Sequence, residues 1–101
     1  MVIELLKIKV PPELQQEFIR KDAQIWTAAL AEYDGYLTKQ VWLNPRQPTE
    51  VTLCISWESR EQWKAIPQNV LTAIEQKFVQ ELGCSCQIIE SSEYEVYDLS
   101  K

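Results

Sequence analysis

Apolar and polar positions alternate with a period of two over residues 2–10. Val2, Leu6, Ile8 and Val10 share one face with Glu4 among them, and Ile3, Leu5, Lys7 and Lys9 share the other. This period in aliphatic and β-branched residues predicts a strand with apolar side chains on both faces. Pro11-Pro12 stops it, and Pro12 suits the first turn of a helix. A helical period predicts one helix over 12–33, closed by Asp34-Gly35, where glycine takes the left-handed terminal position. A second strand is read over 36–43, then a polar loop holding Pro45 and Pro48, then a third strand over 51–57. In that third strand Val51, Leu53, Ile55 and Trp57 oppose Thr52, Cys54 and Ser56. Ser59 and Gln62 stand at capping-box spacing, so a second helix begins there. Pro67 divides it into a short opening helix to Ala65 and a main helix to Leu82, ended by Gly83. Val70, Leu71, Ile74, Phe78 and Leu82 form its inner stripe. The last strand is read over 86–97, with a bulge near Ser91-Ser92.

Strand, helix, two strands, helix and strand describe an α+β fold, the ferredoxin-like split βαβ: a four-stranded antiparallel sheet with both helices on one face. The 101 residues make one domain over 1–101. The helices cover one side of the sheet, yet the other side is also apolar, with Ile3, Leu5, Tyr36, Trp42, Ile89 and Tyr94 among its candidates. Such a patch exceeds what monomers expose. The expected cover is a second copy, giving a homodimer through the open sheet face.

Composition narrows the function. The chain is 46% apolar and 25% charged, as globular proteins are. Ten Lys and Arg against fifteen Asp and Glu give a net charge of −5, which argues against nucleic acid or an anionic membrane as partner. No apolar run reaches the roughly 20 residues that cross a bilayer, and 1–10 reads as a strand and not as a leader, so a cytoplasmic location is expected. Histidine is absent. That removes the commonest general base, transition-metal ligand and haem ligand together. Cys54, Cys84 and Cys86 are read as reduced thiols, and Cys84-Ser85-Cys86 alone is half a zinc site at best. No cofactor and no metal are expected.

One carboxylate stands out. At 100° per residue, Leu14, Phe18, Ile19, Ile25, Trp26, Ala29, Leu30 and Tyr33 fill one arc of the first helix, and Asp22 falls in its middle. A carboxylate there is costly unless paired. Two readings stay open: an acid or base with a raised pKa in a cleft, or a structural acid bonded to an indole N–H, a tyrosine hydroxyl or a lysine. Asp22 is the candidate catalytic residue. Trp26, Tyr33, Trp42 and Trp63 are candidate ligand contacts that serve equally well as core. Lys7 and Lys39 lie on the sheet, facing the interior, snorkelling to its rim or pairing with carboxylates in an interface.

The order of elements, the Asp34-Gly35-Tyr36-Leu37 turn and the run Ile55-Ser56-Trp57-Glu58-Ser59 resemble the antibiotic-biosynthesis-monooxygenase-like superfamily of dimeric α/β barrels. Within it, Ile25-Trp26-Thr27-Ala28-Ala29-Leu30 and the run from Trp57 to Ala65 resemble an uncharacterised group of short cyanobacterial proteins. The resemblance covers 1–96. It implies a pocket between helices and sheet and activities such as cofactor-independent oxygenation or haem degradation. The haem-degrading pattern of a strand-one Asn, a Trp and a His is met only by Trp63, which sets histidine-ligated haem aside. What the resemblance implies is a cofactor-independent monooxygenase-like activity on an aromatic substrate, with Asp22 as base. The alternative is a non-catalytic dimeric module that binds a ligand or a partner.

Overall fold

The computed structural model describes residues 1–100. Strands β1 (Val2–Lys9), β2 (Tyr36–Leu43), β3 (Glu50–Trp57) and β4 (Gln87–Glu95) form one antiparallel sheet in the order β2-β3-β1-β4. This is the ferredoxin-like α+β fold. β3 lies inside the sheet, and Val51, Leu53, Ile55 and Trp57 are all buried beneath the helices. That alternation was visible in the chain.

The first connection is helical but not uniform. A 3₁₀ turn at Pro12–Leu14 leads into α1 (Gln15–Asp22), a π turn (Ala23–Thr27) and a short α2 (Ala28–Leu30). The expected single helix over 12–33 is therefore corrected twice. It ends at Leu30, and the π turn widens it in the middle. The buried residues Phe18, Asp22, Ile25 and Leu30 fall four, three and then five positions apart, the last step crossing the π turn. A wheel at constant 100° cannot reproduce that step.

The second connection follows its punctuation closely. The Ser59 side chain accepts the Gln62 backbone N–H at 3.1 Å and opens α3 (Arg60–Lys64). Pro67, in extended conformation, precedes α4 (Gln68–Leu82), and Gly83 ends it at φ 90°. α1 and α4 meet through an edge-to-face contact of Phe18 and Phe78, centroids 5.2 Å apart. Two apolar clusters result. One is built on Val10, Phe18, Ile25, Val51, Leu53 and Phe78, and the other on Leu30, Ile55, Trp57 and Ile66; Trp26 packs against both.

Two bulges set which side chains face the helices. In β4 the register shifts where Lys7 pairs Glu90 and Ile8 pairs Ile88, leaving Ile89 as the extra residue. The bulge expected near Ser91-Ser92 is corrected to this position, because Ser91 and Ser92 pair in register with Leu6 and Leu5. In β2 the shift lies between Tyr36 and Thr38, with Leu37 extra. No helix among the described residues is long and apolar enough to cross a membrane.

Candidate functional site

A cavity of about 450 Å³ lies between the helices and the sheet, within the range of small-molecule sites. Leu6, Ile8, Leu53, Ile55 and Phe78 give it apolar walls, and Trp26, Trp57 and Trp63 contribute to its lining. Its polar groups include Glu4, Asp22, Lys39 and Glu75.

The β2 bulge puts Lys39 there. In a regular strand, residues three apart point to opposite faces. The extra residue at Leu37 lets Tyr36, expected on the open face, meet the Trp57 ring at 5.9 Å between centroids, while Lys39 also faces the helices. Its Nζ stands 2.6 Å from Asp22 Oδ2, and the two side chains are only 4% and 3% exposed. Asp22 is the last residue of α1, immediately before the π turn. Burial pushes the Asp22 carboxyl above its usual range and outweighs the downward pull of Lys39. Its charge, added to burial, also raises the Tyr36 phenol.

Glu4 forms the second polar pole. On the helix-facing side of β1, it accepts the Trp57 indole N–H at 3.4 Å. Trp57 is fully buried, and an indole of about 150–250 Å² contributes roughly 4–6 kcal/mol of gross hydrophobic stabilisation. Leaving its N–H unpaired would cost about 1–3 kcal/mol, so Glu4 serves the core as well as the cavity. Burial raises the Glu4 carboxyl, opposed by the Trp57 N–H and by the charges of Lys64 and Lys39. Opposite, the Trp26 N–H donates to Glu75 at 3.3 Å. Trp63 carries the Lys64 ammonium 4.0 Å above its ring.

Asp22, Trp26, Lys39 and Trp63 thus meet in one cavity. The other candidates lie elsewhere. Tyr33 packs against the Leu30–Trp57 cluster and is not part of the cavity wall. Trp42 and Lys7 are on the opposite face of the sheet, beside a shallower groove of about 310 Å³. There Trp42 donates to Gln40 at 2.9 Å, and Lys7 stands 3.8 Å from Glu50 and 3.6 Å from Glu90. Their strand parity, opposite to that of Lys39 and Val41 in β2 and of Glu4 and Leu6 in β1, is the reason. Sequence reasoning missed Glu4, Trp57 and Glu75. For Glu4 the signal was present, a carboxylate among Val2, Leu6 and Ile8; Glu75, next to Ile74 in the α4 stripe, gave none.

The three cysteines are free thiols, and no three His, Cys, Asp or Glu side chains gather at a metal-binding spacing among the described residues.

Residues 1–69, from β1 to the start of α4, match the family model of antibiotic biosynthesis monooxygenases. The chain belongs to that family. No curated protein matches the sequence. Among solved structures, the antibiotic biosynthesis monooxygenase fold recurs at low identity. A monooxygenase from the ActVA-Orf6 gene of Streptomyces coelicolor, solved with nanaomycin D, superposes at TM-score 0.74 with 12% identity, over 96% of this chain and 88% of that one. SnoaB of Streptomyces nogalater, a cofactor-independent oxygenase solved as a point mutant, gives 0.73 at 13% identity over 99% and 97%. A Deinococcus radiodurans protein described as a candidate member of the family gives 0.70 at 19% over 97% and 94%. At these identities the likeness is one of fold.

Proposed function

We propose that this antibiotic biosynthesis monooxygenase family member is a homodimeric enzyme that oxygenates a small electron-rich aromatic compound without a cofactor. The observation that carries the reading is the buried Asp22–Lys39 pair set in the wall of an apolar, tryptophan-lined cavity. A carboxyl whose pKa burial has raised is a better proton acceptor than a solvated one. Asp22 takes a proton from the substrate, and Lys39 offsets the negative charge that the deprotonated ring acquires. The resulting anion passes an electron to dioxygen, a C–O bond forms, and the O–O bond breaks with loss of water. A ring methylene plus O₂ thereby becomes a carbonyl plus water. The function reported for SnoaB supports this class of chemistry.

A second reading has its own support. Asp22 is 2% exposed and already paired with Lys39, which suits a cavity that binds a ligand without transforming it. Oxygen uptake with naphthohydroquinone and anthrone as substrates, under chelator, separates the two. Catalysis predicts uptake that falls by about 10²-fold or more in Asp22→Asn while ligand binding and far-UV circular dichroism persist. Uptake unchanged in the variant removes Asp22 as base. Binding without uptake in the native protein leaves the binding module.

A further inference from the structure

The charges around the cavity do not balance. Lys39 is committed to Asp22 at 2.6 Å, and Arg60 on α3 to Glu93 on β4 at 3.0 Å. Lys64 lies over Trp63 and acts on Glu4 from a distance. Glu4 on the sheet wall and Glu75 on the helix wall both line the cavity, yet neither enters an ion pair among the described residues. Each accepts an indole N–H instead, from Trp57 and Trp26 respectively. An indole N–H satisfies a lone pair but neutralises no charge.

We infer that the compound this cavity takes is an organic cation, an aromatic body carrying a protonated amine, whose ammonium meets Glu4 and Glu75 amid the indoles of Trp26, Trp57 and Trp63. The inference rests on the cavity being the ligand site and adds the charge of its occupant. An anionic ligand would face two carboxylates, with Lys39 already neutralised by Asp22 and Lys64, held over Trp63, acting on Glu4. An uncharged ligand would leave the half-buried Glu4 with no counter-charge in contact, only the more distant Lys64 and Lys39, an arrangement that burial makes costly. An ammonium supplies that counter-charge, and desolvated indole faces add to its binding.

Calorimetric titration with three probes of one shape tests this: 2-(2-naphthyl)ethylamine, 2-(2-naphthyl)ethanol and 2-naphthylacetate. The amine is expected to bind at least about tenfold more tightly than the alcohol, a difference of about 1.4 kcal/mol, and the acetate more weakly than either. The double variant Glu4→Gln, Glu75→Gln keeps an amide oxygen for each indole N–H. In it the amine should fall to the level of the alcohol while the alcohol is unchanged. The alcohol or acetate matching the amine, or a preference that survives in the double variant, overturns the inference and leaves the proposed function standing. If none of the probes binds at millimolar concentration, the cavity is not a ligand site and both fall together.

Discussion

Glu4 and Asp22 are both carboxyls that burial pushes upward, but they differ in what holds them. Asp22 has an ammonium at 2.6 Å; Glu4 has an indole N–H at 3.4 Å. Glu4 is therefore a half-buried carboxyl whose charge has no ion-pair partner in contact. In the folded chain it keeps its proton to a higher pH than its usual value of 4.5. Between 4.5 and that raised value the native state binds more protons than the unfolded one, so stability falls as pH rises, and the penalty is complete above the raised value. Glu4→Gln removes the titration and preserves the acceptor for Trp57. Thermal denaturation should show the variant more stable than the native protein at about pH 7, by an amount on the order of a few degrees. The two should converge as pH falls to 4.5. A variant less stable near neutral pH, with the loss undiminished in acid, would show that Glu4 is a satisfied structural acceptor whose charge the core requires.

At the scale of elements, the two glycines share one backbone region in different surroundings: Gly83 ends α4, and Gly35 lies in the turn between α2 and β2. Gly35 has φ 93°, and a Cβ built on it would stand 2.6 Å from Gln62 Cβ; Gly83 has φ 90° with nothing within 4 Å. Both substitutions to alanine incur the left-handed penalty of roughly 1–2 kcal/mol. Gly35→Ala alone must also displace Gln62, whose side chain accepts the hydroxyl of Ser59, the α3 cap, at 3.0 Å. Urea denaturation should place Gly35→Ala clearly below Gly83→Ala in stability; equal losses would show that the α3 cap moves freely. The Gly83 end, the Ser59 cap and Pro67 could be read from the chain because each is a local rule written in one or two residues. The π turn after Asp22 and the extra residues Leu37 and Ile89 could not. They arise where two packed surfaces must agree in register, and no residue in Ala23–Thr27 or at Leu37 announces them. This is also why the candidate site was only half legible. Asp22 stood out against its own helix, whereas its pairing with Lys39 depends on a bulge in another element, and Trp42 and Lys7 were grouped with them although their strand parity placed them with Ile3 and Leu5 on the open face.

At the scale of the whole molecule, the open sheet face is the feature that a single chain leaves unexplained. Ile3 and Leu5 of β1 are half-buried there and Trp42 is 47% exposed, beside Tyr94 at 54%. Cys54, on the same face, is buried, and its thiol is pushed upward by that burial. Lys7, in the middle of this face, is already matched to Glu50 and Glu90, so a second copy could cover it there without stranding an unpaired ion. Rotation about a twofold axis sets the same strip of side chains against itself, which suits a surface with an apolar middle and internally paired charges. Sedimentation at micromolar concentration should find a species of twice the 11.8 kDa chain mass. Trp42→Glu should shift it toward the single-chain mass by placing two unpaired carboxylates in the middle of the interface. Because Trp42 lies outside both core clusters, circular dichroism of that variant should keep the native helical and strand signal. A native protein that sediments only as one chain would require some other cover for Ile3, Leu5, Trp42 and Tyr94. A Trp42→Glu variant that stays paired would move the interface elsewhere, to the exposed Val96, Tyr97 and Leu99 at the end of the chain.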